Sequence, residues 1–293
     1  MNAALHSTQR SIGAILIDTG RLSAEDAERV LRFQKGKDLR FGDAAIELGI
    51  LTESDIRYAL SYQFDYAYLP TTEDKPVSEE LIAAYQPFSH EVEQLRAIRS
   101  QLMLRCFYKE SGNSALAIIA AGPGEGCSYV AANLAIVFSQ LGERTLLIDS
   151  NLRTPRQHEL FKLENKIGFS SVLAGRSTVE DAIIRIPVFV NLSVLPAGPT
   201  PPNPQELLNR PGFDDLLSQA REAFDIVLLD TSGMNAGADA TVIAARAGSA
   251  LLVGRMIETR VSAFRDMAET LTRTGVAVVG SVLNDPPLVE ISK

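Results

Sequence analysis

The sequence predicts an α/β protein in which a doubly wound parallel sheet follows a small all-helical domain. From residue 115 onward, short apolar runs alternate with stretches of helical periodicity, which is typical of a parallel sheet covered by helices. Residues 1–63 instead contain a helical repeat. The chain has 293 residues, 46% of them apolar, which is enough for two cores. We therefore predict a helical domain at 1–65, a linker at 66–88 and an α/β domain at 89–293.

A shift of 29 residues aligns the two halves of the helical domain. Each half reads as a short apolar helix that ends at glycine, a hydroxyl residue that caps the next helix, and an amphipathic helix that ends at glutamine. Ser23 and Thr52 are the predicted caps. The coinciding pairs are Gly13 and Gly42, Gly20 and Gly49, Leu22 and Leu51, Asp26 and Asp55, Leu31 and Leu60, and Gln34 and Gln63.

The α/β domain is predicted to open with a helix over residues 91–107. Before it, residues 64–76 mix aromatics, prolines and charges without a period, which favours an irregular connection. Glu93, Arg96 and Arg99 recur every three residues and so share one face of the helix. From the residues alone, this is a solvated charged face.

Six apolar runs are candidate strands of the parallel sheet. They are residues 115–120, 145–149, 192–196, 226–230, 250–254 and 276–282. In such sheets the ligand lies beyond the carboxyl ends of the strands, where the loops gather.

The first strand leads through a glycine-rich turn into a helix, which predicts a phosphate-binding loop (P-loop). Backbone N–H groups at such a turn point at phosphate oxygens. Position 127 offers a neutral thiol where a lysine ammonium normally meets the nucleotide, so nucleotide binding is predicted and phosphoryl transfer is in doubt. The candidate nucleotide-binding residues here are Gly122, Pro123, Gly124, Glu125, Gly126, Cys127, Ser128 and Tyr129.

Two further loops carry acidic residues at strand ends. Asp149 and Asp230 each end an apolar run, and with the Ser128 hydroxyl they form a candidate Mg²⁺ site. Arg153 is a candidate to face the phosphates or a partner. The thiol of Cys127 lies at a helix N-terminus, which predicts a lowered pKa and a candidate redox sensor.

Composition narrows the functional classes. The net charge of −8 argues against non-specific nucleic-acid binding, which needs a basic face. Two cysteines are too few for a disulfide framework, and the three histidines share no metal-binding spacing. No apolar run approaches the ~20 residues that span a bilayer, so we expect a cytoplasmic protein with no transmembrane segment of its own.

Residues from about 89 to 285 resemble the catalytic domain of bacterial tyrosine kinases (BY-kinases), which share their fold with MinD-type P-loop proteins. The family's Pro-Gly-Glu-Gly turn lies at 123–126, and its Asn-Leu-Ala at 133–135. The whole chain resembles the EpsG-type kinases of exopolysaccharide clusters. The resemblance implies ATP and Mg²⁺ as cofactors and a membrane polysaccharide co-polymerase, the chain-length determinant, as partner.

The resemblance also implies roles for particular residues. Asp149, Asn151 and Asp230 match the catalytic positions, with Arg153 completing the second motif. The spacing Glu-x-x-Arg-x-x-Arg of the family's oligomerisation signature is matched by Glu93, Arg96 and Arg99, which implies a homo-oligomer.

Departures from the family pattern weaken the expected kinase activity. Cys127 replaces the lysine and Asn151 an aspartate. Losing a charged hydrogen bond costs about 1.5–3 kcal/mol, which binding survives. Losing a general base costs about 10²–10⁴ in rate. The tail from 284 carries no tyrosine, and the group at Tyr58, Tyr62, Tyr66 and Tyr68 is either an alternative acceptor cluster or packing.

The helical repeat resembles the MshEN module of secretion ATPases, some of which bind cyclic di-GMP. The implied ligand residues are Arg40, Gln34 and Gln63, although the first copy opens Ser11-Ile12-Gly13 without the expected arginine. The alternative is a helical docking domain without a ligand.

Two functions remain. The first is an ATP-dependent tyrosine autokinase that acts on exopolysaccharide chain length and export, at the inner membrane through its partner. The second is a regulatory pseudokinase or scaffold that senses cyclic di-GMP. A septum-site ATPase is a weaker third reading, because the phosphate loop lacks the second lysine of that group.

Overall fold

A computed structural model describes residues 11–37, 39–63, 69, 75–107 and 114–285. These fall into two compact units, one within Met1–Pro70 and the other within Thr71–Lys293. None of the helices that it describes combines the length and the apolar character needed to cross a bilayer. Tyr66, Tyr68 and the tail from residue 286 lie outside the described residues.

The smaller unit is built from two helical hairpins, as the repeat predicts. Within residues 11–63, apart from residue 38, its helices are α1 (Ile12–Asp18), α2 (Ala24–Lys37), α3 (Phe41–Glu47) and α4 (Glu53–Gln63). The first hairpin turns at Gly20 and the second at Gly49, with φ of 70° and 66°. These are left-handed conformations that glycine adopts readily.

The predicted caps in the smaller unit are confirmed. The Ser23 hydroxyl accepts a hydrogen bond from the Asp26 N–H at 3.0 Å, and the Thr52 hydroxyl accepts one from the Asp55 N–H at 3.3 Å. In return, each hydroxyl donates to the carboxylate three residues on. This reciprocal cap explains why hydroxyl and aspartate recur together.

The coinciding glycines Gly13 and Gly42 mark close contacts. A Cβ at Gly13 would lie 3.2 Å from the Phe41 ring, and one at Gly42 would lie 3.0 Å from Ile56. The first contact joins α1 of one hairpin to α3 of the other, and the second joins α3 to α4 within the second hairpin, so the glycines let these helices pack.

The larger unit contains a seven-stranded sheet within residues 114–285. The strands are β1 (Ala115–Ala120), β2 (Thr145–Asp149), β3 (Ile184–Arg185), β4 (Leu192–Leu195), β5 (Ile226–Asp230), β6 (Ser249–Arg255) and β7 (Ala277–Asn284). Their order is β3-β4-β2-β5-β1-β6-β7, and all neighbours are parallel except β3 and β4. The doubly wound parallel fold and its six predicted strands are confirmed, with ends that differ by at most two residues.

Helices cover the sheet of the larger unit. Those in its described part are α5 (Ile82–Tyr85), α6 (His90–Arg105), α7 (Cys127–Gln140), α8 (Gln157–Leu160), α9 (Phe169–Leu173), α10 (Val179–Ala182), α11 (Pro204–Leu208), α12 (Gly212–Ala223), α13 (Asp239–Ala247) and α14 (Val261–Arg273). Alternate residues of β1, beginning at Ala115, share a core with α9 and α11–α14. The helix α7 contacts β1, β2 and β5 and also contacts the helices α5 and α6.

Residues 75–88, the later part of the predicted linker, pack within the larger unit. The Ala83 N–H donates to Oδ1 of Asn133 at 3.0 Å, and the Asn133 amide donates to the Glu80 carbonyl at 3.1 Å. Asn133 is fully buried in α7. This segment is therefore tied to the helix that follows the glycine loop.

Candidate nucleotide-binding site

The loop between β1 and α7 has the backbone of a phosphate cradle. Gly124 and Gly126 have φ of 77° and 93°, in the left-handed region. The helix begins at Cys127, and no side chain among the described residues caps it. Its first N–H groups and the positive end of its dipole therefore face the loop, which favours an anion there.

Side chains from three positions fix this loop. The Glu125 carboxylate accepts a hydrogen bond from the Ala121 N–H at 2.9 Å and is 8% exposed. From the ends of β6 and β7, Arg255 donates to the Gly124 carbonyl and Asn284 to the Glu125 carbonyl, both at 3.1 Å. Glu125 is thus a brace of the cradle, and the outer contacts hold the loop against the sheet edge.

The loop after β5 lies directly against the cradle. A Cβ at Gly233 would come within 2.8 Å of the Gly122 backbone, and one at Gly122 would lie 3.3 Å from the Asn235 amide. The Thr231 hydroxyl donates to the Ile118 carbonyl at 2.8 Å. These contacts place the end of β5 beside the phosphate loop, as the sequence predicts.

Asp149 and Asp230 are register partners at the ends of adjacent strands, and both are fully buried. Oδ2 of Asp149 accepts hydrogen bonds from the Arg156 and Gln157 N–H groups, both at 2.9 Å. Oδ2 of Asp230 accepts one from the Gln157 amide at 2.8 Å. Among the described residues, Oδ1 of each aspartate lacks a hydrogen-bond partner.

The two carboxyl groups are hard to ionise without a cation. Burial, and next the charge of Asp230, raise the pKa of Asp149 well above its usual value. Burial also raises the pKa of Asp230, against the hydrogen bond from Gln157, which lowers it. Two unpartnered carboxylate oxygens beside a serine hydroxyl fit a hard divalent cation such as Mg²⁺, which keeps several water ligands and takes few from protein.

Gln157 is a site residue that the sequence analysis missed. It is fully buried, and its amide nitrogen donates to Oδ2 of Asp230 and to the Ser128 carbonyl, at 2.8 and 3.1 Å. Its Oε1 has no partner among the described residues. One side chain therefore joins the first turn of α7 to the acidic pair.

The expectation for the Cys127 thiol is wrong. Burial, and next the charge of Asp230, raise its pKa well above the usual value. Sγ donates to the Ile118 carbonyl at 2.9 Å, so the thiol turns towards β1. Burial and the charge of Asp230 outweigh the effect of the helix N-terminus, and the predicted redox sensor loses its physical basis.

Asn151 and Arg153 are engaged in fixing their own loop. Oδ1 of Asn151 accepts from the N–H groups of Arg153 and Thr154, at 3.3 and 3.0 Å. The Arg153 guanidinium binds both oxygens of the buried Asp239, at 2.7 and 3.2 Å. A role for either residue on the nucleotide stays a prediction.

Tyr129 and the charged face of α6 have contacts within the chain. Burial, and next the charges of Glu91 and Glu80, raise the pKa of Tyr129 to about 12. Arg96 pairs with Glu93 on the same helix, and Arg99 donates to the Val137 carbonyl at 2.8 Å. Both arginines therefore already have partners within the chain, in addition to any contact they make with a second copy.

In the smaller unit, the residues predicted for cyclic di-GMP are only partly defined. Arg40 is exposed at the N-cap of α3, and Gln34 is half-buried in α2. Gln63 ends α4, and its side chain lies outside the described residues.

A glycine loop between a buried strand and a helix, with carboxylates at adjacent strand ends, defines the P-loop α/β class. Within that class the chain is 36% identical over 217 residues to tyrosine-protein kinase YwqD of Bacillus subtilis, covering 74% of this chain and 90% of that protein. It is 33% identical over 208 residues to tyrosine-protein kinase Wzc of Salmonella typhimurium, covering 70% of this chain and 28% of Wzc. No protein-family model matches the chain.

Solved structures agree with these relatives. The kinase domain of Escherichia coli tyrosine kinase ETK matches with a TM-score of 0.69 and 30% identity, over 78% of this chain and 93% of that one. The chimerical protein CapA2B2 matches with a TM-score of 0.67 and 32% identity, over 81% and 100%. MinD from Pyrococcus horikoshii, at 22% identity and a TM-score of 0.52 over 60% and 74%, shares the fold. The chain belongs to the bacterial tyrosine-protein kinase family, so that predicted resemblance is confirmed.

Proposed function

We propose that this chain binds ATP with Mg²⁺ and acts as a tyrosine-kinase-like regulator of exopolysaccharide chain length and export, with weak or absent autokinase activity. The observation that carries the proposal is the pair of buried carboxylates, each with an unpartnered oxygen, beside the uncapped start of α7. The carboxylates need a positive counter-charge and the start of the helix needs a negative one. In a magnesium nucleotide, Mg²⁺ supplies the first and the phosphates supply the second.

The proposed ligands follow from the geometry of the site. The phosphates lie on the backbone N–H groups of residue 122 and residues 124–129, since Pro123 has none, and Asp149, Asp230 and Ser128 hold the metal. When bound, Mg²⁺ neutralises charge on the phosphate oxygens. Gln157 orients Oδ2 of Asp230 and leaves its Oδ1 for the metal.

Two replacements support reduced phosphoryl transfer. The Cys127 thiol turns to the Ile118 carbonyl and brings no positive charge to the phosphates. Asn151 has no carboxylate to accept a proton, and its amide oxygen already accepts two backbone hydrogen bonds. Binding requires neither group, whereas transfer uses both charge stabilisation and a base.

The cellular role is proposed from the family. We assign the chain to the cytoplasm, at the inner membrane through a polysaccharide co-polymerase, as a homo-oligomer formed through Glu93, Arg96 and Arg99. The Glu93 side chain is 60% exposed, which suits a contact with a second copy. Light scattering on wild type and Glu93→Ala tests this, because a wild-type monomer would contradict it.

Phosphotyrosine formation decides between a weak kinase and a pseudokinase. Purified protein is incubated with ATP and Mg²⁺ and probed with a phosphotyrosine antibody, beside Asp149→Ala. We expect little or no signal. A strong wild-type signal that vanishes in Asp149→Ala would refute the pseudokinase.

The second candidate function is a scaffold that senses cyclic di-GMP through the helical repeat. It is favoured by Arg40, an exposed cation at the start of α3 whose side chain makes no cap hydrogen bond within the described part of the chain. Calorimetry of the full chain with cyclic di-GMP tests it. Arg40→Ala should abolish binding, while the control Arg32→Ala, an exposed arginine of α2, should not. Equal binding by all three proteins would overturn the assignment to Arg40.

A further inference from the structure

The charge that Cys127 fails to supply has a candidate source on another loop. Arg156 follows β2, and its N–H donates to Oδ2 of Asp149 at 2.9 Å. The next residue, Gln157, contacts Asp230 and the Ser128 carbonyl. The backbone of Arg156 therefore lies beside the acidic pair, on the side of the first turn of α7.

The Arg156 guanidinium is held at the rim of this site by the carboxylate of Glu80. Its Nη2 donates to both oxygens of Glu80, at 2.6 and 2.7 Å. The two side chains are 42% and 46% exposed. An ion pair this exposed changes an equilibrium constant by a factor of only about 1.4 to 5, so a stronger anion can displace Glu80.

Glu80 itself is fixed close to the phosphate loop. Its carbonyl accepts from the Asn133 amide of α7, and Asn133 also donates to the Tyr129 carbonyl. The ion pair is thus anchored at the start of the helix that cradles the phosphates.

We infer that Arg156 is the cation that meets the terminal phosphate of a bound nucleoside triphosphate, and that Glu80 holds it aside when the site is empty. The inference rests on the proposed nucleotide binding. A Mg²⁺ held by Asp149 and Asp230 would neutralise charge on the phosphates beside this pair, and Arg156, whose N–H donates to Asp149, would then face the terminal phosphate. The planar guanidinium suits phosphate oxygens.

Arg255 is the alternative cation, and its contacts differ. It lies at the end of β6, donates to the Gly124 carbonyl at 3.1 Å and pairs with Glu258 at 3.3 Å. It braces the loop backbone. Removing it should weaken ATP and ADP together, whereas removing Arg156 should weaken ATP alone.

Calorimetry with ATP and with ADP, both with Mg²⁺, tests the inference on the full chain. We expect Arg156→Ala to raise the Kd for ATP roughly 10- to 100-fold, as for a lost charged hydrogen bond, and the Kd for ADP less than about threefold. Arg156→Lys should retain part of the ATP preference. Arg273→Ala, which removes an exposed helical ion pair, is the matched charge control.

Glu80→Gln gives the opposite and diagnostic change. Freed from its partner, Arg156 should bind ATP about 1.4- to 5-fold more tightly, and this gain should vanish in the double variant with Arg156→Ala. Equal loss of ATP and ADP in Arg156→Ala, or a gain from Glu80→Gln that persists without Arg156, would overturn the inference and leave the proposed function standing. A wild-type chain that binds neither nucleotide would overturn both.

Discussion

Replacing Cys127 with lysine should convert a weak phosphate site into a strong one. The thiol lies in the first turn of α7, and its Sγ is 2.9 Å from the carbonyl oxygen of Ile118 in β1. A lysine there would bring an ammonium group to a loop that lies beside the buried carboxylates of Asp149 and Asp230.

The size of the effect follows from the bond that is gained. A hydrogen bond to a charged group contributes about 1.5–3 kcal/mol, which corresponds to a roughly tenfold to hundredfold lower Kd for ATP. The ammonium also favours the ionised forms of the aspartates, whose pKa values burial raises.

Calorimetry of Mg-ATP binding measures this gain, with Cys127→Met as the control for side-chain length without charge. We expect Cys127→Lys to bind at least tenfold more tightly than wild type and Cys127→Met to bind no better. An unchanged Kd in Cys127→Lys, or an equal gain in Cys127→Met, would refute the argument that the missing charge limits affinity.

Three other variants probe the same site. Gln157→Met keeps the side-chain length and removes the hydrogen-bond donor to Asp230. ATP binding in the presence of Mg²⁺ should therefore weaken about tenfold, while ATP binding without Mg²⁺ should change little. Equal loss of both affinities would show that Gln157 has a merely structural role. Burial raises the folded-state pKa of Asp149, so the charge of Asp149 destabilises the fold as the pH rises above the pKa in the unfolded chain, about 3.9. Without Mg²⁺ at pH 7, Asp149→Asn should therefore raise the Tm, by about 2–4 °C for each kcal/mol gained in the free energy of unfolding. This gain in Tm should vanish towards pH 4. Gly126→Ala should lower the Tm more than Gly142→Ala. Both glycines have a positive φ, but a Cβ at Gly126 would also lie 2.1 Å from the Asn284 amide nitrogen. Equal Tm values for the two variants would contradict this contact.

The local sequence pattern was sufficient to predict which loops form the site. The glycines of residues 122–126 follow a buried strand directly, and Asp149 and Asp230 each end one. Parallel strands bring their carboxyl ends to one edge, so these residues had to meet. The helical repeat could be predicted in the same way, because the caps at Ser23 and Thr52 each bind a residue only three positions further along the chain.

Contacts between distant segments could not be read from the sequence. Gln157 lies in a polar stretch that looks exposed, and only the meeting of α7 with the ends of β2 and β5 buries it. The two-residue strand β3 is too short to show a period and pairs antiparallel at the sheet edge. For Cys127, the expected helix effect was local, whereas the dominant influences are burial and the charge of Asp230 across the sheet.

The magnesium dependence of ATP affinity tests the central claim most directly. Calorimetry compares wild type and Asp230→Asn with ATP, once in excess Mg²⁺ and once in EDTA. Since main-chain N–H groups and two strand-end carboxylates form the proposed site, wild type should bind ATP in Mg²⁺ and lose about tenfold or more in EDTA, and Asp230→Asn should show no such difference. No detectable heat from wild type with millimolar ATP, or an affinity indifferent to Mg²⁺, would contradict the account.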